Sequence, residues 1–365
     1  MPIPGSSPAL AYIAARRESI FSTLREVAAT RGGQLEAGQA GGAELLATLL
    51  EYAGRGKMLR GALVHLGAEL FAGRGPRPGV PEAAAAMELF QAGLLVHDDI
   101  MDRDELRRGA PSVHSRFAAE ARASGAPDSL HLGEALAICA GDLCYFEGYR
   151  LLSSALEASS LGPAARGDLL STVSSELSVV ALAQMRDCRW GSLPLEPTED
   201  EIVGMYRGKT ARYTFSLPLV VGASLGGGEA SVALLREIGE SAGLAFQLRD
   251  DELGLFGDPE LLGKPVGSDL RENKKTVLRA RLFARASADE RSRLLSVFGS
   301  DKAGPAEVAL VRELAEKLGV RASLSAWMTE LAGRARAGIA GLTGVEPGAR
   351  ALLLDLVDWL VTRQA

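Results

Sequence analysis

Apolar residues recur three and four positions apart along most of the chain, in long stretches rich in Ala, Leu, Glu and Arg, and alternating β-branched runs are almost absent. That period predicts amphipathic helices and almost no sheet. The pattern places helices over 8–31, 43–71, 82–103, 134–157, 164–188, 199–226, 230–256 and 273–297, with three shorter ones after about 304. Two helix starts carry the spacing of a capping box, Thr198 with Glu201 and Ser287 with Glu290. Loops are expected at Gly32 to Gly42 and at the Gly-, Pro- and Ser-rich stretches 73–81, 123–129 and 190–197. None is long or polar enough for a domain linker, and no fixed-period repeat appears, so residues 1–365 read as a single all-α domain, one continuous helical bundle.

Composition narrows the class without changing the fold. The chain has 365 residues, 47% of them hydrophobic, which is enough for a full core without staples. Its three cysteines, Cys139, Cys144 and Cys188, are unpaired in spacing, so a disulfide framework is not expected and a reducing cytoplasm is the natural location. Four histidines (His65, His97, His114, His131) are scattered and no C-x-x-C occurs, which argues against zinc. A net charge of −6 argues against a general nucleic-acid binder. The start, MPIPGSSPALAYIAARRESI, lacks a basic region ahead of an apolar run and does not read as a signal peptide. No apolar stretch is long enough to span a bilayer.

The chemistry sits where apolar helices end in acid. Phe90-Gln91-Ala92-Gly93-Leu94-Leu95-Val96-His97-Asp98-Asp99-Ile100-Met101-Asp102 puts Asp98 and Asp102 at i and i+4, on one helical face. Like charges at that spacing repel, and a hard divalent cation such as Mg²⁺ offsets the repulsion, with phosphates completing its coordination. A solvated helix end is the plainer alternative. A second acidic end follows at Phe246-Gln247-Leu248-Arg249-Asp250-Asp251-Glu252-Leu253-Gly254. Two such ends suggest two walls of one metal–diphosphate site. Cations accompany them: Arg107-Arg108 before a Gly/Pro turn, Lys57 and Arg60 one turn apart, Lys209 beside Thr210, and Lys264 in a loop. Each alone would pass for a solvated cation; beside carboxylates and metal they suit phosphate. His97 reads as a structural neighbour, because adjacent residues point to different helix faces.

Taken together, these segments resemble the trans-isoprenyl diphosphate synthases, the polyprenyl synthetase family that includes farnesyl and geranylgeranyl diphosphate synthases. The resemblance spans roughly residues 50 to 280, with the motifs in family order. It implies an isoprenoid-synthase-type helical bundle around a central substrate cavity, a homodimer, and head-to-tail condensation of isopentenyl diphosphate with dimethylallyl, geranyl or farnesyl diphosphate. By the same resemblance Lys57, Arg60, Gln91 and Arg108 bind the isopentenyl diphosphate, while Arg107, Lys209 and Lys264 face the allylic diphosphate. Asp98, Asp102 and Asp250 hold about three Mg²⁺ ions, with Asp99 and Asp251 tuning or sharing them. Thr210, Phe246 and Gln247 line the reacting carbons. Two departures stand out: GKRxRP becomes Gly56-Lys57-Met58-Leu59-Arg60-Gly61, and the second DDxxD ends in Gly254.

Such a reaction needs no side-chain base, since the departed diphosphate can take the proton. Product length should follow the cavity running back along the helix that ends at Asp98. At about 1.5 Å per residue, Gly93 lies roughly 7.5 Å and Phe90 roughly 12 Å from Asp98. Gly93 is expected to leave space, with Phe90 as floor and Leu94, Met87 and Tyr145 or Phe146 as neighbours; Phe90 as plain core is the alternative. A C20 product is favoured, then C15. A class I terpene cyclase would not need Lys57, Arg60 and Arg108, and a noncatalytic subunit would have lost its metal ligands wholesale.

Overall fold

The computed structural model describes residues 7–38, 41–72, 75, 77–258, 267–300 and 303–364. Those residues are almost entirely helical and divide into two compact units. The first comprises residues up to Leu170 with Pro218–Ala230 and Val345–Ala349; the second comprises Ser171–Leu217, Ser231–Gly344 and the remainder.

In the first unit lie α1 (Pro8–Gly38), α2 (Gly42–Gly54), α3 (Leu59–Ala72), α4 (Val80–Met101), α5 (Val113–Ala123) and α6 (Ser129–Ala158). Helix α4 is its centre. Ala83, Ala84, Ala85, Ala86, Met87 and Phe90 are all fully buried, so the first half of the helix is largely apolar, with Glu82 in its first turn and a buried Glu88, and its aspartates are gathered at the end. Pro81 starts it in the first turn, where a missing N–H costs nothing. After Asp102 the chain forms a short hairpin, Leu106–Arg107 paired with Ala110–Pro111. Its two loop residues, Arg108 at φ 55° and Gly109 at φ 74°, are both left-handed, as a two-residue hairpin turn requires.

The second unit takes up α7 (Pro163–Ser192) from Ser171 onward, then α8 (Glu199–Tyr206) and a π-helical segment, Arg207–Ser216, which leads into α9 (Leu217–Gly226), a helix that belongs to the first unit from Pro218 on. Helix α10 (Val232–Phe256) carries the second acidic end. It packs on the π segment through Gly239 and Gly243; a Cβ at Gly239 would lie 2.5 Å from the Ser216 nitrogen. Then follow α11 (Ser268–Arg271), α12 (Val277–Arg285), α13 (Ala288–Val297), α14 (Pro305–Lys317), α15 (Val320–Gly341) and α16 (Pro347–Thr362). Leu244, Leu248, Val277, Leu282, Val311 and Leu324 belong to one buried cluster of this unit.

The all-α expectation holds, and both capping boxes form, with Thr198 and Ser287 each exchanging bonds with the glutamate three residues on. Several boundaries differ for local reasons. The helix expected over 43–71 is broken into α2 and α3 because Met58 sits at φ 52°, outside helical space. The one over 273–297 is broken at Ser287, which leaves the helix to cap α13. Gly32 to Gly38 is helix, not loop: Gly32 is buried against α2, where a Cβ would meet that of Ala43 at 3.5 Å. Helix α7 runs to Ser192, the stretch 199–226 contains the π segment, and α5 and the hairpin lie where no element was expected. No helix of the described residues is long and apolar enough to cross a membrane.

Candidate active site

At the end of α4 the three carboxylates do different things. Asp98 is partly exposed, its side chain 20% accessible, and Asp102 is exposed at the helix C-cap. Asp99 points inward and is fully buried. Its carboxylate accepts the Tyr52 hydroxyl at 2.7 Å and the Arg107 Nε–H at 2.6 Å. Burial pushes the Asp99 carboxyl up, against the opposing pull of Arg107 and Tyr52. Arg107 also reaches Asp104 at 3.1 Å and Asp98 at 3.5 Å, so it ties the hairpin to the acidic end. Asp99 is therefore an anchor: its two oxygens face Tyr52 and Arg107.

Lys57, Arg60 and Arg108 gather on the same unit. Arg17 of α1 donates to the carbonyls of Gly56 at 2.9 Å and Gly54 at 2.6 Å, fixing the turn that presents Lys57. Gly56 has no room for a side chain, because a Cβ there would lie 2.6 Å from Arg108 Nη1. Arg108 leaves the hairpin from a left-handed backbone, a conformation that disfavours a Cβ, and lies against that turn. Arg60 stands in the first turn of α3 and Gln91 is part-buried on α4.

On the second unit a cavity of about 270 Å³ is lined by Asp187, Lys209, Thr210, Gln247, Asp250 and Asp251, with Gly254, Asp269, Lys274 and Lys275 completing it. Lys209 and Thr210 come from the π segment, whose wider turns are common at functional sites. Lys209 pairs with Asp187 at 2.6 Å, and the Thr210 hydroxyl donates to Gln247 Oε1 at 2.7 Å. Asp251 repeats the arrangement of Asp99: it is buried, accepts the Tyr206 hydroxyl, and accepts Gln247 Nε2 at 3.0 Å. Tyr206 is held in turn by the Val277 N–H at 3.2 Å. Burial pushes the Asp251 carboxyl up to about 8, against Tyr206 and with added repulsion from Asp269. Like those of Asp99, both its oxygens are taken by neighbouring side chains. Asp250 pairs with Arg363, whose guanidinium also donates to the Phe246 carbonyl and covers the Phe246 ring at 4.1 Å.

Gly254 is not simply a lost ligand. A Cβ there would lie 3.0 Å from Asp269 Oδ2, so a carboxylate from α11 occupies the space that a fifth-position side chain would take. Phe246 packs against Arg363 and Phe215, with ring centroids 5.3 Å apart in the aromatic pair, and does not line the cavity with Thr210 and Gln247. Lys264 lies outside the described residues.

The expected space at Gly93 is corrected too. A Cβ on Gly93 would lie 2.9 Å from the Gly141 carbonyl oxygen and 3.2 Å from the Tyr145 ring, so the glycine lets α6 approach α4. Phe90 is fully buried against Gly148 and meets Tyr149 edge-on at 4.9 Å. Leu94 is half-buried, Tyr145 sits beside Gly93, and Phe146 is 68% exposed and no part of a floor. His97 is a neighbour, as read: its Nε2 is 3.1 Å from the Ile138 carbonyl oxygen. Tyr52, Tyr206, Asp187, Asp269, Glu88 and Arg363 were not marked by any sequence signal, because each acts through a partner distant in the chain.

Comparison with known proteins agrees with this geometry. The polyprenyl synthetase family pattern matches residues 43–316. The chain is 34% identical over 263 residues to the geranylgeranyl diphosphate synthase of Saccharolobus solfataricus, covering 72% of this chain and 73% of that protein. It is 36% identical over 316 residues to the (2E,6E)-farnesyl diphosphate synthase of Mycobacterium tuberculosis, covering 85% and 80% respectively. Among solved structures, the geranylgeranyl pyrophosphate synthase of Corynebacterium glutamicum, complexed with isoprenyl diphosphate and magnesium, superposes with a TM-score of 0.87 at 29% identity, covering 96% of this chain and 99% of that one.

Proposed function

The chain belongs to the polyprenyl synthetase family, and from that premise we propose that this trans-prenyltransferase joins isopentenyl diphosphate head-to-tail to an allylic diphosphate, giving geranylgeranyl diphosphate. Farnesyl diphosphate is the second reading, supported by the likeness to a farnesyl diphosphate synthase. Residues 1–365 act as one catalytic domain in this reading. The observation that carries it is the pair of acidic helix ends, each with its inner carboxylate anchored by a tyrosine and its outer carboxylates left beside cations.

The donor set suits Mg²⁺. Among the described residues no three His, Cys, Asp or Glu side chains converge on one point, and Mg²⁺ characteristically takes one or two carboxylates and leaves its other positions to water and phosphate oxygens. Asp98, Asp102 and Asp250 would hold about three such ions, which supply positive charge to a leaving diphosphate. Lys57, Arg60, Gln91 and Arg108 bind the isopentenyl diphosphate, while Arg107, Lys209 and Lys264 bind the allylic one. As the allylic C–O bond breaks, Lys209 and Arg107 stabilise the electron pair that leaves with the diphosphate. The isopentenyl double bond then forms the new C–C bond, and the released proton passes to the diphosphate. Thr210 and Gln247, bonded to each other, face the carbocation with oxygen dipoles, and Phe246 closes the region beside them.

A homodimer is part of this reading. Leu132, Leu136, Cys139 and Phe146 form an exposed row on α6 at spacings of three, four and seven, the pattern of a helix seam awaiting a partner. A cytoplasmic location is also part of this reading, and the free cysteines Cys139, Cys144 and Cys188 suit a reducing compartment.

The test is incubation of the protein with Mg²⁺, isopentenyl diphosphate and each of dimethylallyl, geranyl and farnesyl diphosphate, followed by chromatography of the dephosphorylated alcohols. Geranylgeraniol is expected. Farnesol as end product selects the second reading; cyclic hydrocarbon from an allylic diphosphate alone, or no product, overturns both.

A further inference from the structure

Glu88 lies on α4, ten residues before Asp98, and is buried to 6% exposure, a costly place for a carboxylate. Its Oε1 accepts the Gly61 N–H at 2.7 Å, and the carboxylate also takes the Arg60 N–H. Both donors belong to the first turn of α3, where backbone N–H groups have no partner inside the helix. Met58, which precedes that helix, has a thioether in place of a capping oxygen and sits at φ 52°. The cap is supplied from another helix. Burial pushes the Glu88 carboxyl up, and the guanidiniums of Arg60 and Arg108, with the two backbone N–H donors at the positive end of α3, oppose that push and favour its charged form.

Gly61 makes this possible. The family pattern has proline at this position, and proline has no N–H to give. A side chain would not fit either, since a Cβ at Gly61 would lie 2.7 Å from Ile20 Cδ1 and 3.0 Å from the Ala84 carbonyl oxygen. The departure from GKRxRP is thus paired with a buried acceptor that uses it.

We propose that Glu88 is a positioning residue: by capping α3 through Arg60 and Gly61, it sets the Lys57–Arg60 turn and Arg108 for the diphosphate of the homoallylic substrate. The inference rests on the assignment of those cations to isopentenyl diphosphate, so Arg108→Gln is measured beside Glu88→Gln in the full-length protein. Glu88→Gln keeps the shape and one acceptor while removing the charge.

Two readouts separate positioning from packing: steady-state kinetics with each substrate varied in turn, and calorimetric titration of the metal-free protein with isopentenyl diphosphate. The expected result for Glu88→Gln is a KM and Kd for isopentenyl diphosphate raised about tenfold, or about 1.4 kcal/mol. The KM for farnesyl diphosphate and the kcat should stay within about twofold, a change of about 0.4 kcal/mol. Glu88→Asp, shorter by one carbon but still charged, should recover part of the loss. Unchanged isopentenyl diphosphate affinity in Glu88→Gln, with Arg108→Gln weakened, overturns the proposal alone. Unchanged affinity in both variants overturns the homoallylic assignment and the proposal with it. A uniform loss in kcat and both KM values, together with a lowered Tm, reduces Glu88 to packing and also overturns it.

Discussion

The two acidic helix ends share letters and differ in electrostatics. In each, a tyrosine from an earlier helix anchors the second aspartate: Tyr52 holds Asp99 across 47 residues of sequence and Tyr206 holds Asp251 across 45. The third partner differs. At Asp99 it is the cation Arg107, which supports a charged carboxylate; at Asp251 it is the neutral amide of Gln247, and the carboxyl is pushed up to about 8. The fifth position differs as well, Asp102 on the same helix in one case and Gly254 fronted by Asp269 of α11 in the other. The first end is a self-contained pair of outward carboxylates. The second is assembled from separate segments, with one outward acid of its own.

That contrast can be broken most forcefully at Asp98. Asp98→Ala should lower kcat by on the order of 10³-fold, about 4 kcal/mol in barrier; turnover near that of the unaltered protein would remove the first end from the chemistry. Any pH study of the two ends has to be read against His65, buried on α3 with its Nε2 lacking a hydrogen-bond partner. Burial, with the Arg16 charge, pushes its imidazole from 6.5 down to about 4. The folded state therefore keeps His65 neutral while the unfolded chain takes up a proton below about 6.5, so stability falls from there to about 4, by on the order of 3 kcal/mol. Denaturant unfolding of His65→Gln across that range should show a flatter profile; an unaltered slope would assign the acid sensitivity elsewhere.

The tyrosine anchors sharpen the comparison at a smaller scale. Tyr52→Phe should cost about 2 kcal/mol in unfolding free energy, because it strips a bond from an aspartate that also pairs with the Arg107 cation, and Tyr206→Phe about 1 kcal/mol, because the other partner of its aspartate is the neutral Gln247 amide. Equal costs, read by urea denaturation at pH 7, would erase the electrostatic distinction. The least effect is expected at Asp269→Ala, a few-fold rise in the Mg²⁺ concentration for half-maximal activity, on the order of 1 kcal/mol. An unchanged Mg²⁺ requirement would show that Gly254 goes uncompensated.

How far the sequence speaks depends on distance along it. Asp98 and Asp102 are legible because a helix turn brings i and i+4 together, and the capping boxes at Thr198 and Ser287 are legible for the same reason. Tyr52, Tyr206, Glu88 and Arg363 are not, since a tyrosine or a glutamate in an apolar helix looks the same whether it anchors an aspartate or faces water. Gly93 misleads in an instructive way: absence of a side chain reads as space, but at a helix crossing it permits approach, and α6 fills the gap. The breaks at Met58 and in the π segment follow from backbone states that composition does not announce.

The π segment also ties the site to chain length in the arithmetic sense. Arg207–Ser216 accommodates extra residue per turn relative to an α-helix. Deleting a single residue between Thr210 and Leu217 would let the ladder close with ordinary spacing and rotate Lys209 and Thr210 by about 100° relative to α9. Thr210 would then turn away from Gln247 and Lys209 from Asp187, although all four side chains were retained. In this stretch the reading frame of the helix, as much as the identity of its residues, sets these two contacts, and insertions or deletions there should be less tolerated than substitutions at exposed positions.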